Sequence, residues 1–372
     1  MKRSVIIGAL LLLIPMGCLD IMEDSFELPW TGSVIILQDS RTLSSQPDQV
    51  NFEMDFAVIH AKIFESIGGE YTAQEAIDDK FMPYEKLNSG SISYNSFAEE
   101  PDFSFSLNNM SLNAPIVTDN SISLGVLLDT SEPDYKGGFG FNNFYMEGLV
   151  GMLKTADPKH EFLLAKYQRK YIEDPPIQYI TNDFTTYSDE LAKDLWNLPK
   201  TSSDFASLYD ALDLMIEAVA AKANNIEKHI LVYATSIDNG SVQNLTENDI
   251  ILKALQNNVK ISVVFVPENS NGSNISDWRI LSKVPVLTGG TSIYAGGGLT
   301  GQVNTVFLNV FDIIQKNYPY YTLNTTINNS LPTQVNPFVD YFNYLWISHT
   351  DDNVDGFGSS LYLNHPLIYY IK

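Results

Sequence analysis

The sequence predicts an α/β protein with a doubly wound, mostly parallel sheet, helices on both faces, and a smaller antiparallel β domain. Three observations carry that expectation. Ile122 and Leu124 to Leu128 are apolar apart from Gly125, and the run stops at Asp129-Thr130-Ser131. A strand buried on both faces of a parallel sheet reads this way, and open α/β sheets place ligands at the carboxyl edge where these polar residues would fall. Helical patterns then alternate with short apolar strands as far as residue 325, which implies right-handed βαβ crossovers. Before it, Phe52, Met54, Phe56 and Val58 alternate with more polar neighbours, as in a half-exposed strand.

Composition bounds what such a chain can do. At 372 residues it exceeds one ordinary core, so two units are expected. Hydrophobic residues at 44% and aromatics at 12% exclude a disordered chain. The 45 acidic against 22 basic residues leave a formal charge of −23, which repels nucleic acid and anionic headgroups. No nucleic-acid partner is expected. Only five histidines (His60, His160, His229, His349, His365) limit both catalysis and zinc binding.

In chain order, Lys2 and Arg3 precede the apolar stretch Val5 to Gly17 and then the only cysteine, Cys18. A basic start, a short apolar region and small residues before a cut describe a signal peptide over 1–17, too short to span a bilayer. The Gly17-Cys18 junction resembles the lipobox of bacterial lipoproteins, although Pro15 stands where that family prefers leucine. The resemblance implies lipidation at Cys18 and a membrane anchor at the cell envelope, periplasmic or surface-exposed. An ordinary signal peptide with an incidental cysteine is the alternative. Residues 18–32 read as an acidic tether. Residues 33–117 read as the antiparallel β domain, with an immunoglobulin-like fold as one expectation for it and strands at Val34–Leu37, 52–58 and 103–107; Ala73 to Asp79 reads alternatively as a short helix.

The α/β unit is expected over 118–325. Its helices fall at Asn143–Lys154, Ser188–Asn197, Ser207–Asn224, Glu247–Gln256 and Gln302–Lys316. In the strongest, Leu208, Leu212, Met215, Ile216 and Val219 share one face. Its further strands fall at Glu161–Tyr167, His229–Tyr233 and Val259–Val266. A β-like tail, 326–372, is expected to add to the antiparallel domain.

Four stretches in this order resemble a von Willebrand factor type A domain. They are Leu-Gly-Val-Leu-Leu-Asp-Thr-Ser (124–131), Ser-Leu-Tyr-Asp-Ala-Leu (207–212), Ile-Leu-Val-Tyr-Ala-Thr-Ser-Ile-Asp-Asn-Gly-Ser (230–241) and Val-Lys-Ile-Ser-Val-Val-Phe-Val (259–266). The resemblance implies a metal-ion-dependent adhesion site built from Asp-x-Ser-x-Ser, a later threonine and a later aspartate. Asp129 and Ser131 match, but Pro133 replaces the second serine and Ala206 the threonine, with Ser207 one residue off register. Ser236 stands at the later aspartate position and Asp238 two residues on. Mg²⁺ wants near-octahedral oxygen ligation, which one carboxylate and one hydroxyl would hold weakly. The site is therefore expected to be degenerate, with no cofactor; Mg²⁺ or Ca²⁺ at a working site is the alternative.

Other chemistry is less well supported. No Gly-x-Ser-x-Gly elbow and no His-Glu-x-x-His helix occurs. Gly289-Gly290 lacks the lysine of a phosphate loop and reads as a turn. Asp351, Asn353 and Asp355 match the first half of a calcium loop, but Tyr362 stands where its glutamate belongs. A plain hairpin turn at Asp355-Gly356 is the preferred reading. The expected function is non-catalytic protein binding or adhesion from a lipid anchor; the rivals are cation-dependent adhesion at Asp129 and a hydrolase with an unrecognised active site.

Overall fold

The computed structural model describes residues 30–46, 49–63, 90–98, 103–130, 144–168, 171–186, 206–235, 238–265, 281–294, 306–329, 343–351 and 358–364, apart from 117, 119, 172, 239, 308 and 319. The strands are β1 (Trp30–Gln46), β2 (Gln49–Ile63), β3 (Gly90–Ala98), β4 (Phe103–Asn113), β5 (Ile122–Asp129), β6 (Glu161–Tyr167) and β7 (Ile177–Tyr179). They continue as β8 (Glu227–Ala234), β9 (Val259–Phe265), β10 (Ser292–Tyr294), β11 (Tyr320–Asn329), β12 (Asn343–Asp351) and β13 (Gly358–Asn364). The helices are α1 (Phe144–Thr155), α2 (Leu208–Lys222), α3 (Glu247–Gln256), α4 (Lys283–Thr288) and α5 (Val310–Ile314).

One sheet runs β4-β11-β2-β1-β10-β9-β8-β5-β6-β7. Its section from β10 to β6 is parallel, and β7 turns back antiparallel on β6. This is the doubly wound α/β arrangement expected from the sequence. The antiparallel strands β4, β11, β2 and β1 continue the same sheet, joined to β10 at the pair Leu37–Ser292. A second sheet, β13-β12-β3, combines tail strands with an N-terminal one. β11 crosses residues 325–326, where the sequence suggested that the α/β unit ends, and pairs with both β2 and β4. Its Asn- and Thr-rich sequence lacks the apolar signal of a central strand, which hides it among loops.

Alternation in β5 feeds both faces of the sheet. Leu124, Val126 and Leu128 pack with Leu149 and Leu153 of α1 and Val310 and Ile313 of α5. Leu127 packs on the other face with Leu212, Met215, Ile216 and Val219 of α2 and Ile250 of α3. Each such apolar side chain contributes roughly 1.5–3 kcal/mol when fully buried. Gly125 interrupts the run because a Cβ there would meet Met215 Cε at 2.8 Å and Val219 Cγ2 at 2.9 Å. The missing side chain lets α2 lie close on the strand. A Cβ on Gly290 would come 1.9 Å from the Ile261 carbonyl oxygen, so this glycine serves a close backbone approach.

α3 starts at a reciprocal capping box between Thr246 and Asp249. At its carboxyl end the final helix falls short of the expected Lys316: α5 stops at Ile314, and Lys316 turns the chain at φ 56°. The expected helices at 73–79 and 188–197 lie outside the described residues.

Candidate functional site

The parallel strands end together at the sheet's carboxyl edge, and Asp129 closes β5 there with 2% exposure. Its Oδ2 accepts the Thr235 backbone N–H at 3.1 Å and the Thr235 hydroxyl at 2.8 Å. Thr235 lies just past the end of neighbouring β8. On the other side, parallel pairing sets Tyr167 of β6 beside Asp129. The Tyr167 hydroxyl is hydrogen-bonded to the carboxylate and lies 3.4 Å from the Tyr233 carbonyl oxygen. It has one proton to give, and the charge-assisted bond is the stronger use of it. Burial first, then the negative charge of Asp129, pushes the Tyr167 phenol far above its ordinary range. Thr130 continues the tie: its N–H donates to the Tyr167 carbonyl at 3.3 Å, and its hydroxyl to Gln168 Oε1 at 2.8 Å.

The other candidate residues turn elsewhere. Ser207 is fully buried, but its hydroxyl donates to the Pro176 carbonyl at 3.0 Å, and it does not cap α2. Asp238 does that instead, accepting the Tyr209 N–H at 3.1 Å on Oδ1. The same carboxylate accepts the Ser241 hydroxyl at 2.5 Å and the Ser241 N–H at 3.3 Å. Asp210 answers from the helix: its N–H donates to Ser241 Oγ at 2.9 Å, and its carboxylate accepts Val242 N–H at 2.8 Å and Gln243 N–H at 3.3 Å. Two carboxylates thus zip the 238–243 loop onto the first turn of α2, where the helix dipole favours negative charge. Burial raises the Asp238 pKa; the Ser241 and Tyr209 bonds oppose that, and the nearby Asp210 charge reinforces it.

Ser207 and Asp238, expected to join Asp129 in one degenerate site, are bonded elsewhere in the structure, although the charge of Asp238 still acts on the Tyr167 phenol that is bonded to Asp129. Each has a partner of its own: a carbonyl for the hydroxyl, and the amides of α2 and the loop for the carboxylate. Ser131 and Ser236 lie outside the described residues, as do Cys18, Asn353 and Asp355; Asp351 ends β12. The residues that the sequence reading missed are Thr235 and Tyr167. Thr235 stands one position before Ser236, a shift that its two hydrogen bonds to Asp129 reveal. Tyr167 carries no local signal, because its role follows from strand pairing.

A divalent cation does not fit the described residues around Asp129. The groups turned to the carboxylate are proton donors, whereas Mg²⁺ needs several oxygen lone pairs converging on it. Among the described residues no group of three or more His, Cys, Asp or Glu stands together. His160 is buried at the opposite, amino-terminal edge, where its Nδ1 accepts the Ile122 N–H at 3.1 Å and its ring stacks on Phe311 at 4.1 Å. His229 is buried near the start of β8, and burial lowers its pKa.

No protein-family profile and no curated protein sequence matches the chain. Solved structures resemble it. The VWA domain of SpRpn10 is 17% identical over 52% of this chain and 96% of that domain, with a TM-score of 0.36. A von Willebrand factor type A protein from Catenulispora acidiphila is 9% identical over 73% of this chain and 75% of its own, at 0.37. The pilus adhesin SpaC from Lactobacillus rhamnosus GG is 7% identical over 90% of this chain and 48% of the adhesin, at 0.40. No residue role passes across likenesses this distant. The doubly wound arrangement rests on the chain's own strand order.

Proposed function

We propose that this chain is a non-catalytic, lipid-anchored protein of the cell envelope whose α/β unit binds another protein without a cation at Asp129. The observation that supports the cation-free reading is the set of donors on that carboxylate: the Thr235 amide and hydroxyl and the Tyr167 phenol. A carboxylate so held needs no metal to be stable in a buried place. The non-catalytic reading is supported by the two buried histidines standing at the opposite edge. The anchor rests on Cys18 and the apolar stretch before it.

Calorimetric titration of Mg²⁺ and Ca²⁺ into the full chain tests the edge. Millimolar cation should give no saturable heat, and Asp129→Asn should change nothing in that titration. Photo-cross-linking from the carboxyl edge in native membranes should trap a protein partner, with chelation shifting its apparent affinity by less than about threefold, or about 0.7 kcal/mol. Micromolar cation binding that Asp129→Asn removes would overturn the cation-free reading. Lipid labelling that persists in Cys18→Ser would overturn the anchor.

A further inference from the structure

The two ends of the ten-stranded sheet are built differently. β7 is three residues long, and Lys222 guards it with an ion pair to Asp183 at 3.4 Å and a position 6.0 Å over the Tyr179 ring. Shortness and charge are the usual ways to keep a sheet edge from pairing with another chain. β4, at the other end, is 11 residues long and among the described residues pairs on one side only, with β11. Phe103–Asn113 contains no charged residue and no proline, in a chain with 45 acidic and 22 basic residues. Tyr320–Asn329 behind it is equally free of charge.

The register adds a second observation. Pairing with β11 slips between Asn324 and Thr325, which face Asn109 and Leu107 and leave Asn108 as an extra residue. The bulge switches the alternation, so positions 103, 105 and 107 share a face with 110 and 112. The strand then reads alike in both directions. Laid antiparallel on a second β4, Phe103 stands opposite Leu112, Ser104 opposite Ser111, Phe105 opposite Met110, and Ser106 opposite Asn109. In these four pairs apolar meets apolar and polar meets polar, the central Leu107 stands opposite Asn108, the extra residue of the bulge, and no like charges face each other.

We propose that β4 pairs antiparallel with β4 of a second copy of this chain, forming a two-fold dimer with one continuous sheet. This surface is separate from the carboxyl edge and does not depend on the reading given for it. The net charge of −23 on each copy opposes association, but the neutral belt is two strands deep on each side. The first carboxylates inward, on β2, would stand five strand spacings apart across the dimer, roughly 24 Å. That exceeds the Debye length of about 8 Å at physiological ionic strength but not the roughly 30 Å at 0.01 M, so the dimer should tighten as salt is raised from low to physiological concentration.

Sedimentation equilibrium of the full chain in detergent should show a dimer that strengthens with salt. The double variant Ser106→Lys/Asn109→Lys sets lysines opposite one another and should raise the dissociation constant at least tenfold while circular dichroism stays unchanged. In a Cys18→Ser background, mixing Ser106→Cys chains with Asn109→Cys chains should give an intermolecular disulfide, whereas Ser106→Cys with Ser111→Cys should give none. A chain that stays monomeric at physiological salt, a dimer indifferent to the lysine pair, or cysteine linkage in the wrong register would each overturn the proposal. So would cross-linking of β4 to a different protein in place of a second copy.

Discussion

Asp55 and Asp129 are equally hidden, at 2% exposure each, and are held by opposite chemistries. Asp55 sits where β2, β1, β11 and the end of α5 meet. It accepts Arg41 Nη1 at 3.0 Å, Lys316 Nζ at 3.0 Å and the Thr322 hydroxyl at 2.7 Å. Asn113 of β4 donates to that same Thr322 hydroxyl at 2.7 Å, so the network crosses four strands. The named donors on Asp129, the Thr235 amide and hydroxyl and the Tyr167 phenol, are all neutral. The cationic network clasps the antiparallel wing to the α/β body through charges contributed by distant parts of the chain. The neutral one joins three adjacent strand ends and adds no positive charge to the carboxyl edge.

The largest expected effect breaks the cationic side. Asp55→Ala removes the carboxylate that Arg41 and Lys316 share, while both keep Asp39 and Arg41 also keeps Glu53. Removing one member of a buried ion pair costs roughly 3–5 kcal/mol when the charge left behind has no other partner. The Arg41 side chain is 44% exposed, so at most the lower end, about 3 kcal/mol, is expected in urea unfolding. A loss below about 1 kcal/mol would mean that water replaces the clasp. Burial works against ionisation of Asp55, but the Thr322 hydroxyl, Lys316 and Arg41 outweigh it and hold the carboxyl below its usual range. A lowered folded pKa contributes stability that is complete above the unfolded value, about 3.9, and lost as pH falls through the folded one. Asp55→Asn should flatten the acid limb of the stability profile in that window, and added salt should weaken the native clasp.

The next effect addresses the neutral side. Thr235→Val keeps the backbone N–H on Asp129 and removes the hydroxyl. Hydrogen bonds to charged groups contribute about 1.5–3 kcal/mol, so a loss near 2 kcal/mol is expected. Unlike the Asp55 effect, it should hardly change with salt, because no ion pair is broken. A strongly salt-dependent loss would show that a cation takes part at this edge after all.

The contrast also marks what was legible beforehand. β5, β6, α2, α3 and the strands at 229–233 and 259–265 were readable, because each buries a periodic apolar face and local pattern reports burial. Glu161–Tyr167 and Glu247–Gln256 keep their expected bounds. β11 was not readable, since Thr322, Thr325 and Thr326 lie buried in a strand of polar composition. The site was half legible. Asp129 announced itself at the end of an apolar run, but its partners depend on the β5–β6 and β5–β8 registers, which no single stretch encodes. Asp55 was legible only as the polar member of an alternating pair; Arg41 and Lys316 reach it from 14 and 261 residues away.

The smallest expected effect has the opposite sign to that of Asp55 and so tests the comparison most directly. Asp238 carries its charge against burial and against Asp210, with no cation among its named bonding partners, Ser241 and Tyr209. Its folded pKa is raised, so its contribution is fully present below the unfolded value and is lost as pH rises through the folded one. Acidification should therefore strengthen this loop while it weakens the Asp55 clasp. Asp238→Asn keeps an acceptor for the Tyr209 N–H and removes the charge that burial opposes. Its Nδ2 cannot accept the Ser241 N–H, which costs one hydrogen bond of about 1 kcal/mol. Relief of the buried charge offsets part of that, leaving a net loss under about 1 kcal/mol at neutral pH. The difference from the native chain should widen on acidification, as protonation of Asp238 stabilises the native fold alone. Hydrogen exchange at the Tyr209 and Ser241 amides would locate the change in the loop and the first turn of α2. A native chain whose loop amides exchange faster as Asp238 takes up its proton would show that the charge itself holds the loop.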